Sequence, residues 1–180
     1  MTKKIIVLVG LLSSGKGTVA KYFVEKYGAQ SFRFSTIMRD VLDRLYLEHS
    51  RENMSNLSTL LRERFGEDLF AKVMAADVAK SDAKIVVVDG ARRQADVEHL
   101  KKIAGFKLVS IEADPKIRYE RLTRRAENPD DKNKTWEQFL ADHQLETEVN
   151  IPPLMKLADV VVDNNGSAEE LYRQLDNLLK

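Results

Sequence analysis

A chain of 180 residues with a net charge of +1 and no cysteine has the size of one ordinary domain with a full apolar core. So small a net charge gives no broad field for nucleic acid or a membrane surface, so any basic site must be a local cluster. The lack of cysteine excludes disulfides and thiolate metal sites and suits a reducing cytoplasm.

Lys3 and Lys4 precede the apolar run Ile5-Ile6-Val7-Leu8-Val9. That run is too short for a secretory signal and breaks at Gly10 with no cleavage pattern, so the chain reads as soluble and cytoplasmic. It predicts a β-strand that feeds Gly10-Leu11-Leu12-Ser13-Ser14-Gly15-Lys16-Gly17-Thr18 and then a helix, the context of a phosphate-binding P-loop. Glycines let successive backbone N–H groups converge on phosphate oxygens, the helix presents its positive N-terminus, and Lys16 adds a mobile cation. The expected ligand is a nucleoside triphosphate, with Gly10, Ser13, Ser14, Gly15, Lys16, Gly17 and Thr18 around its phosphates. In the usual pattern a Ser or Thr follows the lysine directly and ligates Mg²⁺. Here Gly17 intervenes before Thr18.

The helix after the loop carries Ala20, Phe23, Val24 and Tyr27 in phase and stops at Gly28. A weak strand is expected around Phe32 to Phe34. Three helical stretches follow, with stripes Met38, Val41, Leu42, Leu45, then Leu57, Leu60, Leu61, Phe65, then Phe70, Val73, Met74, Val78, all read as core. Ile85-Val86-Val87-Val88 is a strand covered on both faces, and Phe106 to Ile111 and Val160 to Val162 are two more. Strands reached through helices predict right-handed crossovers and an α/β architecture. The expectation is a single domain over residues 1–180, with a three-layer α/β/α arrangement on a mostly parallel sheet of about five strands.

Ligands bind beyond the carboxyl ends of such strands, and polar residues gather there. Ser35, Thr36 and Arg39 follow the second strand; Asp89, Arg92 and Arg93 follow the third; Asn164, Asn165 and Gly166 follow the last. Asp89, at the end of a buried strand beside the loop, is placed to anchor Mg²⁺ together with Thr18. Arg92 and Arg93 offer guanidinium forks for an acceptor phosphate. Arg118, Arg121 and Arg125 share a helical face with Arg124 nearby. Arg121 and Arg125 are the candidates to neutralise charge on the transferred group, from a short lid over about 118–136. Arg62 and Arg64 lie in the helical region 36–80. Trp136, Phe139, Leu140 and His143 form a core face, with His143 structural.

The G-K-G-T turn resembles the loop of adenylate kinase and other nucleoside monophosphate kinases, which implies that Thr18 touches the α- and β-phosphates. Asp89-Gly90-Ala91-Arg92-Arg93 is similar to the D-G-F-P-R segment of adenylate kinases, and the resemblance assigns Arg93 to the acceptor phosphate. Phe34-Ser35-Thr36-Ile37-Met38-Arg39 resembles the S-T-G-D segment that lines their acceptor site, with Arg39 a shifted counterpart. The same family carries its acceptor-binding lobe in the region of Arg62 and Arg64, and spacing does not decide which of the two faces the substrate. The segment Ala158 to Ser167, with Glu169-Glu170-Leu171, is similar to the last strand and final helix of dephospho-CoA kinases and of small archaeal kinases related to both families. That likeness places Asn164, Asn165 and Gly166 against the donor adenine.

The leading expectation is a P-loop kinase of the nucleoside monophosphate type, moving the γ-phosphoryl group of ATP to a small-molecule nucleotide with Mg²⁺. Phosphorylation of a ribose hydroxyl, as in dephospho-CoA kinase, is the alternative, although its aspartate-rich segment after the second strand is replaced here by Ser35-Thr36-Ile37-Met38-Arg39. A non-catalytic nucleotide sensor is the third. A guanine switch would want N-K-x-D and D-x-x-G, yet Asn133-Lys134 leads to Thr135-Trp136 and Asp89-Gly90 leads to arginines. Neither nucleic acid nor a membrane is an expected partner, and oligomeric state is not encoded in any motif.

Overall fold

A computed structural model describes residues 3–125 and 131–180. Five strands, β1 (Lys4–Val9), β2 (Gln30–Arg33), β3 (Ile85–Asp89), β4 (Phe106–Glu112) and β5 (Val160–Asp163), form one sheet in the order β2-β3-β1-β4-β5. Every neighbouring pair is parallel. The helices are α1 (Lys16–Tyr27), α2 (Phe34–Arg44), α3 (Arg51–Phe65), α4 (Leu69–Lys80), α5 (Gln94–Val97), α6 (Pro115–Arg125), α7 (Trp136–Asp142), α8 (Glu146–Val149), α9 (Ile151–Met155) and α10 (Ala168–Leu178). Among the described residues no helix is long and apolar enough to cross a membrane.

The pleat of β1 explains the three layers. Side chains alternate across a strand; Ile5, Val7 and Val9 enter a core with Phe70, Met74, Ile151 and Leu154, while Ile6 and Leu8 enter another with Val19, Phe23, Leu171 and Leu175. Helices α4 and α9 therefore cover one face and α1 and α10 the other. Local signals set the ends. Gly28 closes α1 in the left-handed region at φ 62°, where a side chain is disfavoured. Ser167 and Glu170 form a capping box on α10.

Two expectations need correction. The second strand is Gln30–Arg33 rather than Phe32 to Phe34: Phe34 is buried and opens α2, because β2 stops where Arg33 pairs with Asp89, the last residue of β3. Ser35 and Thr36 thus stand in the first helical turn. The stripes of α2 and α3 are not wholly core either. Leu45, Leu60 and Phe65 are 56%, 61% and 62% exposed, and α3 packs on α2 and α4. Of the expected lid, positions 126–130 lie outside the described residues.

Candidate active site

The phosphate loop takes its shape from close contacts that only small residues permit. A Cβ on Gly10 would lie 2.6 Å from both the Ile111 carbonyl oxygen and Ser14 Oγ, so the chain leaves β1 pressed against the end of β4. Gly15 has φ 104°, and a Cβ there would fall 2.1 Å from Asn164 Nδ2. Ser13 also sits in the left-handed region, at φ 61°. Such turns point successive amides inward, the geometry of an anion cradle. The first turn of α1 carries neither a side-chain cap nor an acidic residue, so its N–H groups remain open to an anion. The hydroxyls of Ser13 and Ser14 are buried without a partner. Gly17 and Thr18 are exposed on the same turn.

Lys16 turns back onto this loop, donating to the carbonyls of Gly10 at 2.7 Å and Leu11 at 3.2 Å. Burial pushes its pKa down, Asp89 and then Glu148 push it up, and Arg92 and Arg125 add to the lowering. Four charged groups from three parts of the chain therefore act on Lys16. Asp89 is buried at the end of β3, with Oδ2 3.4 Å from Arg33 Nη2 and Oδ1 without a partner. A buried carboxylate oxygen left open at this position fits a hydrated cation or a hydroxyl donor. No group of three or more His, Cys, Asp or Glu side chains that could hold a metal ion occurs among the described residues.

Around the donor side, Asn164 is a junction. Its Nδ2 donates to the Ser14 carbonyl at 2.7 Å, its N–H to the Glu112 carbonyl at 2.7 Å, and its own carbonyl accepts from Arg121 Nη2 at 2.9 Å. Arg121 keeps a buried Nη1 without a partner, and burial lowers its pKa. Asn165 and Gly166 sit beside this junction. Asn165 Oδ1 accepts from the Asp114 N–H at 2.7 Å, and a Cβ on Gly166 would meet Glu170 Oε2 at 2.1 Å. Arg118, which shares a helical face with Arg121 and Arg125, is buried. It donates to the carbonyls of Ala113 and Leu12 and to His143 Nε2 at 2.9 Å, and lies over the Phe139 ring. It braces the loop, and His143 is structural in that role.

On the opposite flank the arginines are occupied. Arg62 meets Asp96 Oδ1 at 3.1 Å and the Glu67 carboxylate at 3.8 Å, and stacks over Phe70. Arg93 donates to Glu67 Oε2 at 3.0 Å. Asp96 also accepts from the backbone N–H groups of Arg92 and Arg93. The Arg92 side chain is exposed and acts on Lys16, whereas Arg93 faces the helical lobe. Arg39 is bonded to Ser35 Oγ at 3.1 Å, and Thr36 is exposed. Sequence reasoning did not find Glu148, the clamp made by Asp96, or Arg33 as partner of Asp89. Only Asp96 left a trace, as an acid shortly after the arginine pair.

The AAA domain family model matches residues 9–138. A UPF0200 protein of Staphylothermus marinus is 32% identical over 176 residues, covering 98% of this chain and 91% of its own. One of Sulfurisphaera tokodaii is 32% identical over 178 residues, covering 98% and 96%. Among solved structures, shikimate kinase from Bacteroides thetaiotaomicron superposes with a TM-score of 0.62 at 18% identity, over 97% of this chain and 96% of that one. A gluconokinase from Sinorhizobium meliloti does so with 0.60 at 18% identity, over 98% and 91%. The likeness to nucleoside monophosphate kinases thus extends to the P-loop kinase fold. By the span of the matched model and the identity to these relatives, the chain belongs to the AAA domain family and to the UPF0200 proteins.

Proposed function

We propose that this protein is an ATP- and Mg²⁺-dependent kinase whose acceptor is a hydroxyl of a small molecule. The observation that carries the acceptor class is the pairing of Arg62 and Arg93 with Asp96 and Glu67. A phosphate acceptor needs cations in surplus to overcome repulsion from the donor, and carboxylates already neutralise these two. A neutral hydroxyl needs none. The shikimate kinase and gluconokinase folds reported above are in keeping with this class.

Thr18 would hold Mg²⁺, which when bound spreads and neutralises the charge of the triphosphate. The amides of Ser13 to Lys16 cradle the phosphates, and Lys16 leaves its carbonyl partners for them. Arg125 and Arg121 face the developing charge from α6. In the transfer the acceptor oxygen bonds to Pγ as the Pγ–O bond to the β-phosphate breaks. The hydroxyl proton has the open Oδ1 of Asp89 to go to, a carboxylate oriented by Arg33. A groove of about 460 Å³ beside the loop, lined by Leu11, Ser14, Ile111, Ala113 and Arg118, is within the size range of small-ligand sites.

A second reading, a nucleoside monophosphate acceptor, draws support from Arg92, whose exposed side chain acts on Lys16. The test is an ADP-release assay with ATP and Mg²⁺ and a Lys16→Ala blank. Its acceptors are sugar acids, polyols, shikimate, nucleosides and dephospho-CoA on one side and nucleoside monophosphates on the other. Turnover of a hydroxyl acceptor is the expected result. Turnover confined to monophosphates would move the acceptor to a phosphate.

A further inference from the structure

A cavity of about 500 Å³ lies at the end of the sheet opposite the phosphate loop, under the first residues of β1 and β4 and beside the end of α10. Its walls are of two kinds. Phe106, Leu178 and Leu179 supply apolar surface, and Lys3, Lys4, Lys107 and Lys180 bring four cations. The fold explains why cations gather there. Where all strands are parallel, strands start and covering helices end on the same side, and a helix end favours a cation. Lys3 accordingly donates to the carbonyls of Val78 at 2.9 Å and Ser81 at 2.5 Å, at the end of α4, and Lys4 to that of Leu179 at the end of α10. Lys180 donates to Asn177 Oδ1 at 2.8 Å. All these acceptors are neutral. Among the described residues none of the four ammonium groups is within ion-pair distance of a carboxylate, and that of Lys107 has no partner.

The pleat sets two of them on one face. Side chains alternate along a strand, and Ile6 and Leu8 of β1 share the core under α1 and α10 with Val109 and Ile111 of β4. Lys4 and Lys107 keep that phase, so they leave the same face from neighbouring strands, with Lys107 in register with Ile6. Like charges on adjacent strands repel. An anion lodged against both relieves that repulsion.

We propose that this cavity is a second ligand site, for a small anionic amphiphile. One carboxylate or phosphate is held by Lys4 and Lys107, and the apolar body attached to it lies against Phe106, Leu178 and Leu179. The six residues of β1 separate the site from the phosphate loop by about 20 Å, so the two places bind different molecules. No residue of the loop takes part, and the site stands whether or not the protein is a kinase. Recognition needs both parts of the ligand. Inorganic phosphate forgoes the apolar wall, and a neutral alcohol forgoes the lysines.

The test is a calorimetric titration of the full chain with octanoate, octyl phosphate, octanol and inorganic phosphate. The two octyl anions should bind about tenfold more tightly than octanol or inorganic phosphate. Lys107→Glu alters a side chain without a partner in the fold, so Tm should hold while octanoate affinity falls by about tenfold or more. Lys107→Gln removes the charge without reversing it and should show a smaller loss in the same direction. Lys107→Arg keeps the charge and should stay near wild type, as should Lys16→Ala. Octanoate binding no tighter than octanol, or untouched by both Lys107→Glu and Lys107→Gln, would overturn the proposal. Loss of octanoate binding in Lys16→Ala would do so too, by placing the anion at the phosphate loop. Vesicle flotation separates the sources of such a ligand. Capture by phosphatidylglycerol but not phosphatidylcholine vesicles, abolished by Lys107→Glu, would support the site with a membrane lipid as its ligand. Octanoate binding without capture would support it with a free small molecule. Failure of both octyl anions and of the vesicles would overturn it.

Discussion

The two flanks of the site are built by different means. On the phosphate-loop flank nearly every position is set by backbone. Gly10 and Gly15 have no room for a Cβ, Asn164 ties three segments together, and β1 beneath them is buried from Ile5 to Val9. On the helical flank, α2 to α4, position depends on side chains. Arg62 and Arg93 are clamped by Asp96 and Glu67, while Leu45, Leu60 and Phe65 remain in solvent. A cradle made of amides suits any triphosphate, whereas a lobe made of side-chain pairs can be retuned for a new acceptor by a few substitutions.

Lys16→Ala strikes the first flank hardest. The loop keeps its shape, since glycines and Asn164 set it, but the β- and γ-phosphates lose their cation. Turnover measured by ADP release should fall by about 10²- to 10³-fold, with Tm little changed. A large fall in Tm instead would mean that the lysine, not the backbone, builds the cradle. Arg62→Ala should act in the opposite way. It leaves Asp96 buried without its partner, so denaturant unfolding should show a loss of about 2–4 kcal/mol, with the acceptor KM changed only as the lobe loosens. A raised acceptor KM at unchanged stability would show that Arg62 faces the acceptor and would erase the contrast.

Gly15→Ala sharpens the comparison further. A side chain at φ 104° that collides with Asn164 should cost about 2 kcal/mol in thermal unfolding. It should weaken ATP binding in a calorimetric titration more than it weakens the acceptor. Equal losses for both ligands would couple flanks that the geometry keeps apart.

What the chain reveals about itself follows the same division. The P-loop is legible because glycine spacing reports backbone conformation directly, and β3 because a run of Val can be covered on both faces only inside a parallel sheet. Asp89 is legible as the residue that ends such a strand. The choice between Arg92 and Arg93 is not. Asp96 caps both amides, Arg93 is drawn to Glu67 some 26 positions away, and no local spacing encodes that distant acid. Glu148 is hidden for the same reason: its charge acts on Lys16 and Arg118, both far from it in sequence. Periodicity in α3 shows that a face is apolar and not what covers it.

That last point yields the smallest predicted effect and the most direct check on the helical flank. Leu42 is 2% exposed on α2 and Leu60 is 61% exposed on α3, yet both belong to stripes of equal regularity. Leu42→Ala should cost about 2–4 kcal/mol in chemical denaturation, since it opens a cavity in packed surroundings. Leu60→Ser should stay within about 0.5 kcal/mol of wild type, because its side chain loses no contacts with the core. If Leu60→Ser costs as much as Leu42→Ala, the outer face of α3 is covered in the working protein. The lobe would then owe its order to whatever lies on that face as well as to the Arg62 clamp.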